Sequence, residues 1–367
     1  MPICNSKEIP LGALLMEDVH TPLGGLLFTK GSIMEEREIE ILEAFLIKEV
    51  VIEPVNSDLS VLRDLLSLNK DGKKIAEPLK VRREKVGPQH FSEQFDKAVT
   101  SFKNIFQHVQ GGQSVQVMEA RTVISSLIQG IEDISNLMII LKKSDDPNNY
   151  LYEHCVSVGL LSYIIAKWMK LPDKELMQVA LAGVLMDIGK TKVNPKIIWK
   201  TSKLTPDEFE EMKQHTVYGY DLLKNAQGLT NGAALAALQH HEREDGSGYP
   251  LGIKSEKIHL YSKIIAIADI FHAMCSDRLH QKATSPFLVA EALIEESFGR
   301  LDPKIVRTFI QEITQLALGT KVELSDGSFG KVIYINPNNP TRPMVEVNST
   351  IINLSDSRNI WIVRAVI

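Results

Sequence analysis

Two adjacent imidazoles, His240 and His241, form the chemically most distinctive pair in this chain. Glu242 follows them directly, and a glycine-rich segment ending in Tyr-Pro follows at positions 245–250. Neutral imidazole nitrogens are common ligands of transition metals. Because glycines let a loop turn tightly, such a segment can line a pocket beside these ligands. The pattern therefore predicts a metal site with a ligand pocket next to it.

Further candidate ligands lie on both sides of this pair. Seven of the ten histidines fall between His154 and His280. Asp187 and Asp269 are each flanked by apolar residues, and a carboxylate in such surroundings needs a partner such as a metal ion. Taken singly, each residue is more often an ordinary core or surface residue. Taken together, they favour metal ligation, because their order along the chain matches a known one. Hydrolysis of a phosphodiester favours two or more metals bridged by a carboxylate.

This ordered set resembles the HD-GYP family, a branch of the HD phosphohydrolases, over about residues 145–310. The residues that carry the resemblance are His154, Met186-Asp187-Ile188-Gly189-Lys190, His215, His240-His241-Glu242, Asp245-Gly246-Ser247-Gly248-Tyr249-Pro250, Asp269 and Arg278. The Gly-Tyr-Pro segment is the most specific part. The resemblance implies an all-α HD-type bundle with a metal centre in its core. It also implies hydrolysis of cyclic di-GMP to pGpG and, in some members, to GMP.

The resemblance further implies the metal ligands His154, Asp187, His215, His240, His241 and Asp269. Asp187 would be shared by two ions, and the second ion would also use an imidazole at position 186. That position is Met186, and a neutral thioether is a poor ligand for Fe or Mn. We therefore expect one or two divalent transition-metal ions, Fe or Mn. A third ion is not expected, because Tyr150 stands where some relatives have a glutamate.

Catalytic and substrate roles follow from the same resemblance. Asp187 and Lys190 would be catalytic, since the family's lysine meets the phosphodiester and can neutralise developing charge on its oxygens. The implied substrate contacts are Lys190, Gly248, Tyr249, Pro250 and Arg278. A guanidinium is suited to bidentate contact with phosphate. The chain departs from the family pattern at Gln281, where a cation is usual, and at Cys155, where serine is usual.

Met186 leaves two functions open. The first is a metal-dependent cyclic di-GMP phosphodiesterase of bacterial second-messenger signalling with impaired activity, since damage to a metal site commonly costs roughly 10–100-fold. The second is a catalytically inactive HD-GYP module that binds cyclic di-GMP or a protein partner. Hydrolysis of another nucleotide is disfavoured by the Gly-Tyr-Pro segment.

His272 lies one helical turn after Asp269 and could supply a nitrogen ligand to the second metal position. A position that faces solvent or lies behind a metal ligand is favoured for this side chain.

Composition limits the class of protein. Of the 367 residues, 44% are hydrophobic, so a sizeable core is expected. The net charge of -5 is spread along the chain, which argues against DNA as a partner. Three scattered cysteines favour a reducing compartment over a disulfide framework. Because no signal-peptide pattern and no apolar run of roughly 18–20 residues occurs, we expect a cytoplasmic protein without a membrane partner.

The elements that must position these residues fall into four predicted segments. Residues 1–56 predict a small α+β N-terminal domain, and residues 57–145 a helical region with a charged linker at 70–90. Residues 146–316 correspond to the HD-GYP domain. Residues 317–367 are rich in alternating β-type runs and predict a small β-barrel-like C-terminal module. The expected fold class is therefore mainly α, with an HD-type helical bundle at its centre.

An apolar stripe recurs at helical spacing in the second segment. Its members are Phe91, Phe95, Val99, Phe102, Phe106 and Val109. Gly111-Gly112 should end this helix, and a second helix from about 115 to 141 would complete an antiparallel hairpin. Core packing is the favoured interpretation, with a homodimer or signalling-protein contact as the alternative. In the next segment, Thr205, Pro206 and Glu208 predict a helix start with a capping box.

Overall fold

The computed structural model describes residues 3–5, 9, 13–20, 26–34, 39, 42, 47, 49–52, 88–131, 149–276 and 283–366. The chain divides into two compact units, Met1–Arg83 and Glu84–Ile367, and each is described by itself. The division into four segments stays a prediction. Among the described residues, no helix has both the length and the apolar character needed to cross a membrane.

The first unit contains short antiparallel strand pairs. Its strands are β1 (Ile3–Asn5), β2 (Ala13–Leu14), β3 (Val19–His20), β4 (Leu26–Phe28), β5 (Ile33–Met34) and β6 (Glu49–Val51). Strand β1 pairs with β6, β2 with β5, and β3 with β4. Leu15, Met34 and Leu42 lie in a small buried core. Ser32, with Glu35 three residues later, resembles a capping box and predicts a helix to about Leu46. Most of that range lies outside the described residues.

The second unit is dominated by helices, so the predicted mainly α class is confirmed. Its α-helices are α1 (Pro88–Gln110), α2 (Val117–Ile128), α3 (Tyr150–Trp168), α4 (Asp173–Leu185), α5 (Pro195–Ile198), α6 (Pro206–Lys213), α7 (His215–Leu223), α8 (Asn231–Gln239), α9 (Leu260–Cys275), α10 (Pro286–Glu296) and α11 (Pro303–Ile313). Short 3-10 helices occupy Ile188–Lys192 and Ser255–Lys257. Helix α6 begins with the predicted capping box, in which Thr205 Oγ1 accepts from the Glu208 backbone N–H.

Helices α1 and α2 form the predicted hairpin. The six-residue apolar stripe of α1 is buried, and the chain turns at Gly111-Gly112, where Gly112 has a φ of 92°. Helix α2 ends at Ile128, earlier than predicted, and residues 132–141 lie outside the described part of the chain. Both helices share one hydrophobic core with α3 and α4. The core interpretation of the stripe is therefore confirmed, because buried side chains are not available to a partner.

Helix α3 is the centre of the bundle. Most of its residues are buried, on all sides of the helix, which is typical of a helix enclosed by others. It approaches α4 closely at Gly159 and Gly183, where a Cβ added to Gly183 would lie 2.8 Å from the Gly159 Cα. Helix α9 also packs against α3. This close packing brings the end of α4 and the middle of α9 towards His154 on α3.

The C-terminal residues form a five-stranded antiparallel sheet where a barrel-like module is predicted. Its strands are β7 (Lys321–Leu324), β8 (Phe329–Tyr334), β9 (Met344–Val347), β10 (Thr350–Asn353) and β11 (Ile362–Val366), in the spatial order β10-β9-β8-β7-β11. The Arg342 guanidinium donates to both carboxylate oxygens of Glu291 on α10, at 2.6 and 2.8 Å. Phe287 of α10 joins the apolar core of the sheet. The sheet is thereby fixed to the helical bundle.

Phe102→Ala should destabilise the second unit by about 3–5 kcal/mol, since it removes a fully buried ring from the core shared by α1 and α3. Urea unfolding of the whole chain measures this change. Met118→Ala, at a position 67% exposed on α2, is the matched control and should change the stability by less than about 0.5 kcal/mol. Equal effects of the two substitutions would show that the hairpin is not part of the folded core.

Candidate metal centre and its pocket

Six of the predicted ligands converge from separate elements of the second unit. His154 lies on α3, Asp187 follows α4, His215 opens α7, His240 and His241 follow α8, and Asp269 lies on α9. All six are buried or half-buried, although aspartate and histidine usually lie nearer the surface of a protein. These side chains therefore lie close together, as the sequence predicts.

Asp187 connects the later histidines. Its Oδ1 lies 3.3 Å from His215 Nε2 and 3.8 Å from His240 Nε2. Its Oδ2 accepts a hydrogen bond of 2.6 Å from the Lys190 ammonium. Asp269 likewise lies between two histidines. Its Oδ1 is 3.0 Å from His154 Nε2, and its Oδ2 is 4.0 Å from His241 Nδ1.

Backbone carbonyls fix the orientation of two imidazoles. His215 Nδ1 lies 2.6 Å from the Met212 carbonyl oxygen, and His240 Nδ1 lies 3.0 Å from that of Ala237. A carbonyl only accepts, so each Nδ1 carries the proton and donates it. In the neutral rings, the unprotonated Nε2 atoms are therefore the ones that lie near Asp187 Oδ1, at 3.3 and 3.8 Å. An outer hydrogen bond of this kind is typical of metal-ligating histidines.

These residues fit a divalent cation. The nitrogens of His215, His240 and His241 can all lie within 4.8 Å of one another. Within the described part of the chain, the buried Oδ1 of Asp187 has no hydrogen-bond partner. Two unprotonated imidazole nitrogens beside an unpartnered, ionised carboxylate oxygen repel it unless a cation lies among them. The set of imidazole and carboxylate donors suits divalent transition metals.

Burial sets the protonation of the histidines. It lowers the pKa of His215 to about 4, although Asp187 opposes the shift. Burial likewise lowers the pKa of His240 and of His241. Burial alone would raise the pKa of Asp187, but the Lys190 ammonium and the neighbouring imidazoles hold it below its usual value. The site therefore contains neutral imidazoles and an ionised carboxylate at neutral pH, which metal binding requires.

Gly189 lets the segment after Asp187 pass against α7. A Cβ at this position would lie 1.9 Å from the His215 carbonyl oxygen and 2.3 Å from the Gly219 nitrogen. The close approach places Lys190 beside Asp187, with its ammonium partly exposed. Burial opposes the charge of Lys190, yet Asp187 more than offsets that effect and raises the pKa of the lysine. The predicted catalytic pair, Asp187 and Lys190, is thus in direct contact.

His272 lies behind His154. Its Nδ1 is 2.9 Å from His154 Nδ1, the nitrogen opposite the one that faces Asp269. Ser276 Oγ lies 3.3 Å from His272 Nε2. His272 is buried, so the expected alternative of a solvent-facing side chain is wrong. The geometry makes it a support for the orientation of His154.

Glu242 closes the glycine-rich loop, a role that the sequence did not indicate. Its buried carboxylate accepts hydrogen bonds from the backbone N–H groups of Leu251, at 2.7 Å, and Ile253, at 3.2 Å. Gly248 packs on the same residue, and a Cβ there would lie 2.4 Å from the Glu242 Cα. Tyr249 stacks on His241, with ring centroids 4.7 Å apart. Of the implied substrate contacts, Gly248 and Tyr249 therefore lie beside His241, and Pro250 follows Tyr249 in the chain.

The remaining predicted residues have mixed outcomes. Arg278 and Gln281 lie outside the described residues. Met186 is buried at the end of α4, directly before Asp187. Tyr150 stacks on His154 with ring centroids 5.7 Å apart, and burial raises the pKa of the Cys155 thiol well above its usual value. Tyr150 therefore places an aromatic ring beside His154, and Met186 is a buried apolar residue next to Asp187 in the chain.

Two residues of α6 were not identified from the sequence. The ring of Phe209 lies 6.1 Å from that of Tyr249, at an interplanar angle of 78°. The Lys213 ammonium lies 5.3 Å from the centroid of Phe209 and 5.8 Å from that of Tyr249. The one sequence signal for Phe209 and Lys213 was their position in the helix that leads directly into His215. Spacing alone did not show which side of that helix faces the pocket.

Comparison with known proteins agrees with this geometry. Residues 141–305 match the HD domain family. The fold is also similar to that of Bd1817, a HDG"Y"P protein from Bdellovibrio bacteriovorus. The similarity covers 85% of this chain and 99% of that protein, with a TM-score of 0.50 and 12% sequence identity. The chain therefore carries an HD domain, and the resemblance to HD-GYP proteins that the motifs predicted is confirmed. The replacement of an imidazole by Met186 stays a prediction.

Curated relatives have related descriptions. The chain is 30% identical over 253 residues to "Cyclic di-GMP phosphodiesterase PA4108" of Pseudomonas aeruginosa, which is 68% of this chain and 60% of that protein. It is 39% identical over 192 residues to "Cyclic di-GMP phosphodiesterase" of Thermotoga maritima, which is 51% of this chain and 52% of the relative. The chain thus spans between about half and three fifths of the length of these relatives.

The metal-free protein should lose stability as the pH falls from 6.5 towards 4. Across this pH range, the His215 imidazole is protonated in the unfolded chain but neutral in the folded chain. Proton binding therefore stabilises the unfolded state relative to the folded state. His215 alone accounts for roughly 3 kcal/mol, at 1.36 kcal/mol per pKa unit. Urea unfolding in EDTA at several pH values measures the slope. In the His215→Gln variant, the change of the unfolding free energy with pH should decrease by the equivalent of about one proton. An unchanged pH dependence would contradict the assignment of this effect to His215.

Glu242→Gln should detach the glycine-rich loop. An amide has one acceptor oxygen, so one of the two N–H groups that the carboxylate now satisfies would lose its partner. A lost buried hydrogen bond of this type costs about 1–3 kcal/mol. Thermal unfolding measures the loss, and Glu256→Gln, at an exposed position in the 3-10 helix that follows the loop, is the neutral control. Equal melting temperatures for the two variants would rule out the proposed support by Glu242.

Proposed function

We propose that this chain is a metal-dependent phosphodiesterase that hydrolyses cyclic di-GMP, with activity reduced by Met186. The proposal rests on an HD domain at residues 141–305 and on relatives that are named cyclic di-GMP phosphodiesterases. The proposed setting is second-messenger signalling in the bacterial cytoplasm, because the relatives are bacterial proteins. The products would be pGpG and then GMP.

The single observation that carries this proposal is the arrangement around Asp187. Backbone carbonyls hold the Nδ1 protons of two imidazoles, so that two unprotonated Nε2 atoms lie near an unpartnered carboxylate oxygen. A structural polar contact would place a donor there. A site for a cation is the arrangement that the chemistry of these donors supports. Fe and Mn are proposed because both accept mixed imidazole and carboxylate ligands.

The residues around the centre would act on the substrate as follows. A bound divalent ion would activate water and polarise a phosphoryl oxygen. Lys190 would neutralise the negative charge that develops on the phosphoryl oxygens. Tyr249, held on His241 by stacking, would form the wall of the pocket and exclude water from one side. Arg278 is proposed to hold a phosphate through its planar guanidinium.

The two halves of the centre should differ in metal affinity. Asp187, His215, His240 and His241 supply a complete set for one ion. The half that contains His154 and Asp269 has Met186 where the family resemblance implies an imidazole. Since a thioether binds Fe and Mn poorly, this second position should be filled only at higher metal concentration.

A second candidate function is a non-catalytic module that binds cyclic di-GMP or a signalling protein. Met186 is the observation that favours it, because the side chain is apolar, buried and adjacent to the shared ligand Asp187. A single bound ion would still neutralise the buried carboxylate and could hold a phosphate. Turnover distinguishes the two functions.

The direct test uses the purified full chain under anaerobic, reducing conditions with Mn or Fe(II). Bound metal is counted, and the conversion of cyclic di-GMP to pGpG is followed by chromatography. Conversion that depends on added metal supports the phosphodiesterase. Binding of cyclic di-GMP without conversion supports the non-catalytic module, and absence of both binding and conversion overturns the phosphodiesterase and the form of the module that binds cyclic di-GMP.

Met186→His should raise both the metal content and the rate of hydrolysis. The rate should rise roughly 10–100-fold if the missing imidazole limits the second metal position. Metal analysis and cyclic di-GMP turnover of the same preparation measure the two effects. Met118→His, at an exposed site on α2, controls for a metal-binding histidine elsewhere. If neither quantity rises above that control, the missing imidazole is not the limiting defect.

A further inference from the structure

We propose that Phe209 and Lys213 of helix α6 form a nucleobase subsite beside the metal centre, where a purine of the bound cyclic dinucleotide stacks against Phe209. The inference rests on the proposed function, because it takes the ligand to be a cyclic dinucleotide whose phosphate lies at the histidines. It adds two residues and a second binding element to the residues that the motifs identified.

A continuous series of ring contacts connects the metal centre to α6. His241 stacks on Tyr249 at 4.7 Å, with an interplanar angle of 29°. Tyr249 in turn contacts Phe209 edge-to-face, at 6.1 Å. A series of aromatic contacts therefore extends from a candidate metal ligand to a partly exposed ring on α6. Aromatic side chains bind unpaired bases by stacking.

Phe209 does not serve the hydrophobic core. No residue of α6 is buried, and Phe209 remains 45% exposed in spite of its contact with Tyr249. Its neighbours along the helix include the acidic residues Asp207, Glu208 and Glu210, so the ring is a local apolar feature on a charged helix. A partly exposed ring at the edge of a polar site has apolar surface available to a ligand.

Lys213 adds a positive charge to the same surface. It follows Phe209 by one helical turn, and its ammonium lies within 6 Å of both ring centroids, at 5.3 and 5.8 Å. The ammonium is also 2.6 Å from Glu210 Oε1, which holds it in place. A cation next to two rings can meet a carbonyl oxygen of a base or a phosphate oxygen. The pair thus offers both kinds of contact that a nucleotide requires.

The separation along the chain suits one nucleotide. Phe209 precedes His215 by six residues, and helical backbone continues through Gln214 between α6 and α7. At 1.5 Å per residue this corresponds to about 9 Å along the axis. A nucleotide whose phosphate lies among the imidazoles can extend its base outward over such a distance. Helix α6 would therefore bind the base while α7 contributes a metal ligand.

Stacking depends on the ring face of the base and tolerates changes in its identity. We therefore expect Phe209 to contribute affinity for purine cyclic dinucleotides in general. It should not select guanine over adenine. Loss of the Phe209 ring should weaken the binding of cyclic di-GMP and the binding of cyclic di-AMP by the same factor.

The test measures binding of a hydrolysis-resistant phosphorothioate analogue of cyclic di-GMP to the full chain, in the presence of Mn, by isothermal titration calorimetry. Phe209→Ala should weaken binding about 10-fold, within the range expected for one stacked base. Phe209→Trp retains a stacking face and should bind like wild type. Phe329→Ala removes an exposed ring from the C-terminal sheet and is the matched control. Metal content should be the same in all variants, since Phe209 is not a metal ligand.

A fluorescent probe tests the stacking itself. A cyclic dinucleotide carrying 2-aminopurine should lose fluorescence on binding to wild type and to Phe209→Trp, and less so on binding to Phe209→Ala. Lys213→Met keeps the aliphatic stem and should weaken binding while reducing its dependence on salt. These results would support the subsite.

Two contrary results have different meanings. Equal affinity of wild type and Phe209→Ala for cyclic di-GMP, with unchanged quenching of the probe, overturns the subsite and leaves the proposed function intact. Failure of wild type to bind any cyclic dinucleotide with Mn present overturns the proposed function, and the subsite with it.

Discussion

The organisation of this protein depends on the burial of the Asp187 carboxylate against imidazole lone pairs. An ionised carboxylate is costly in a protein core unless other charges and donors compensate it. Lys190 satisfies one oxygen, while the other faces His215 and His240 through nitrogens that cannot donate. The fold therefore maintains a local electrostatic conflict that a bound cation relieves. Every functional interpretation of the chain follows from that conflict.

Close backbone approaches make this burial achievable. Gly159 and Gly183 bring α3 and α4 together, and Gly189 lets the chain pass against α7. Since the side chains reach the centre from several elements, the rigidity of the surrounding core fixes their separations. The histidines on the two sides are held differently: backbone carbonyls orient His215 and His240, whereas another side chain, His272, supports His154. The half next to Met186 thus depends on contacts between side chains for its geometry.

The pocket beside the centre is built in two layers. Glu242 secures the glycine-rich loop by accepting two backbone N–H groups, and the loop then presents Tyr249 to His241. Helix α6 adds Phe209 and Lys213 beyond Tyr249. A ligand with a phosphate and an aromatic base has complementary surfaces in both layers. This arrangement connects the proposed chemistry at the metal with the proposed recognition of the base.

The sequence by itself determined the mainly α class, the Phe stripe of α1 and the capping box at Thr205, because periodicity and caps are local properties. The six candidate ligands were instead inferred from the resemblance to the HD-GYP family. It could not show that His272 lies behind His154 or that Glu242 closes the loop, since both contacts join residues through the fold. Nor could it show that Asp187 lies beside the Nε2 atoms of His215 and His240. The carbonyls that orient these two rings lie only three residues before each histidine, so the ring orientation is a local property. The position of the Asp187 carboxylate beside both rings was decided only by the tertiary path of the chain, because it joins residues of separate elements.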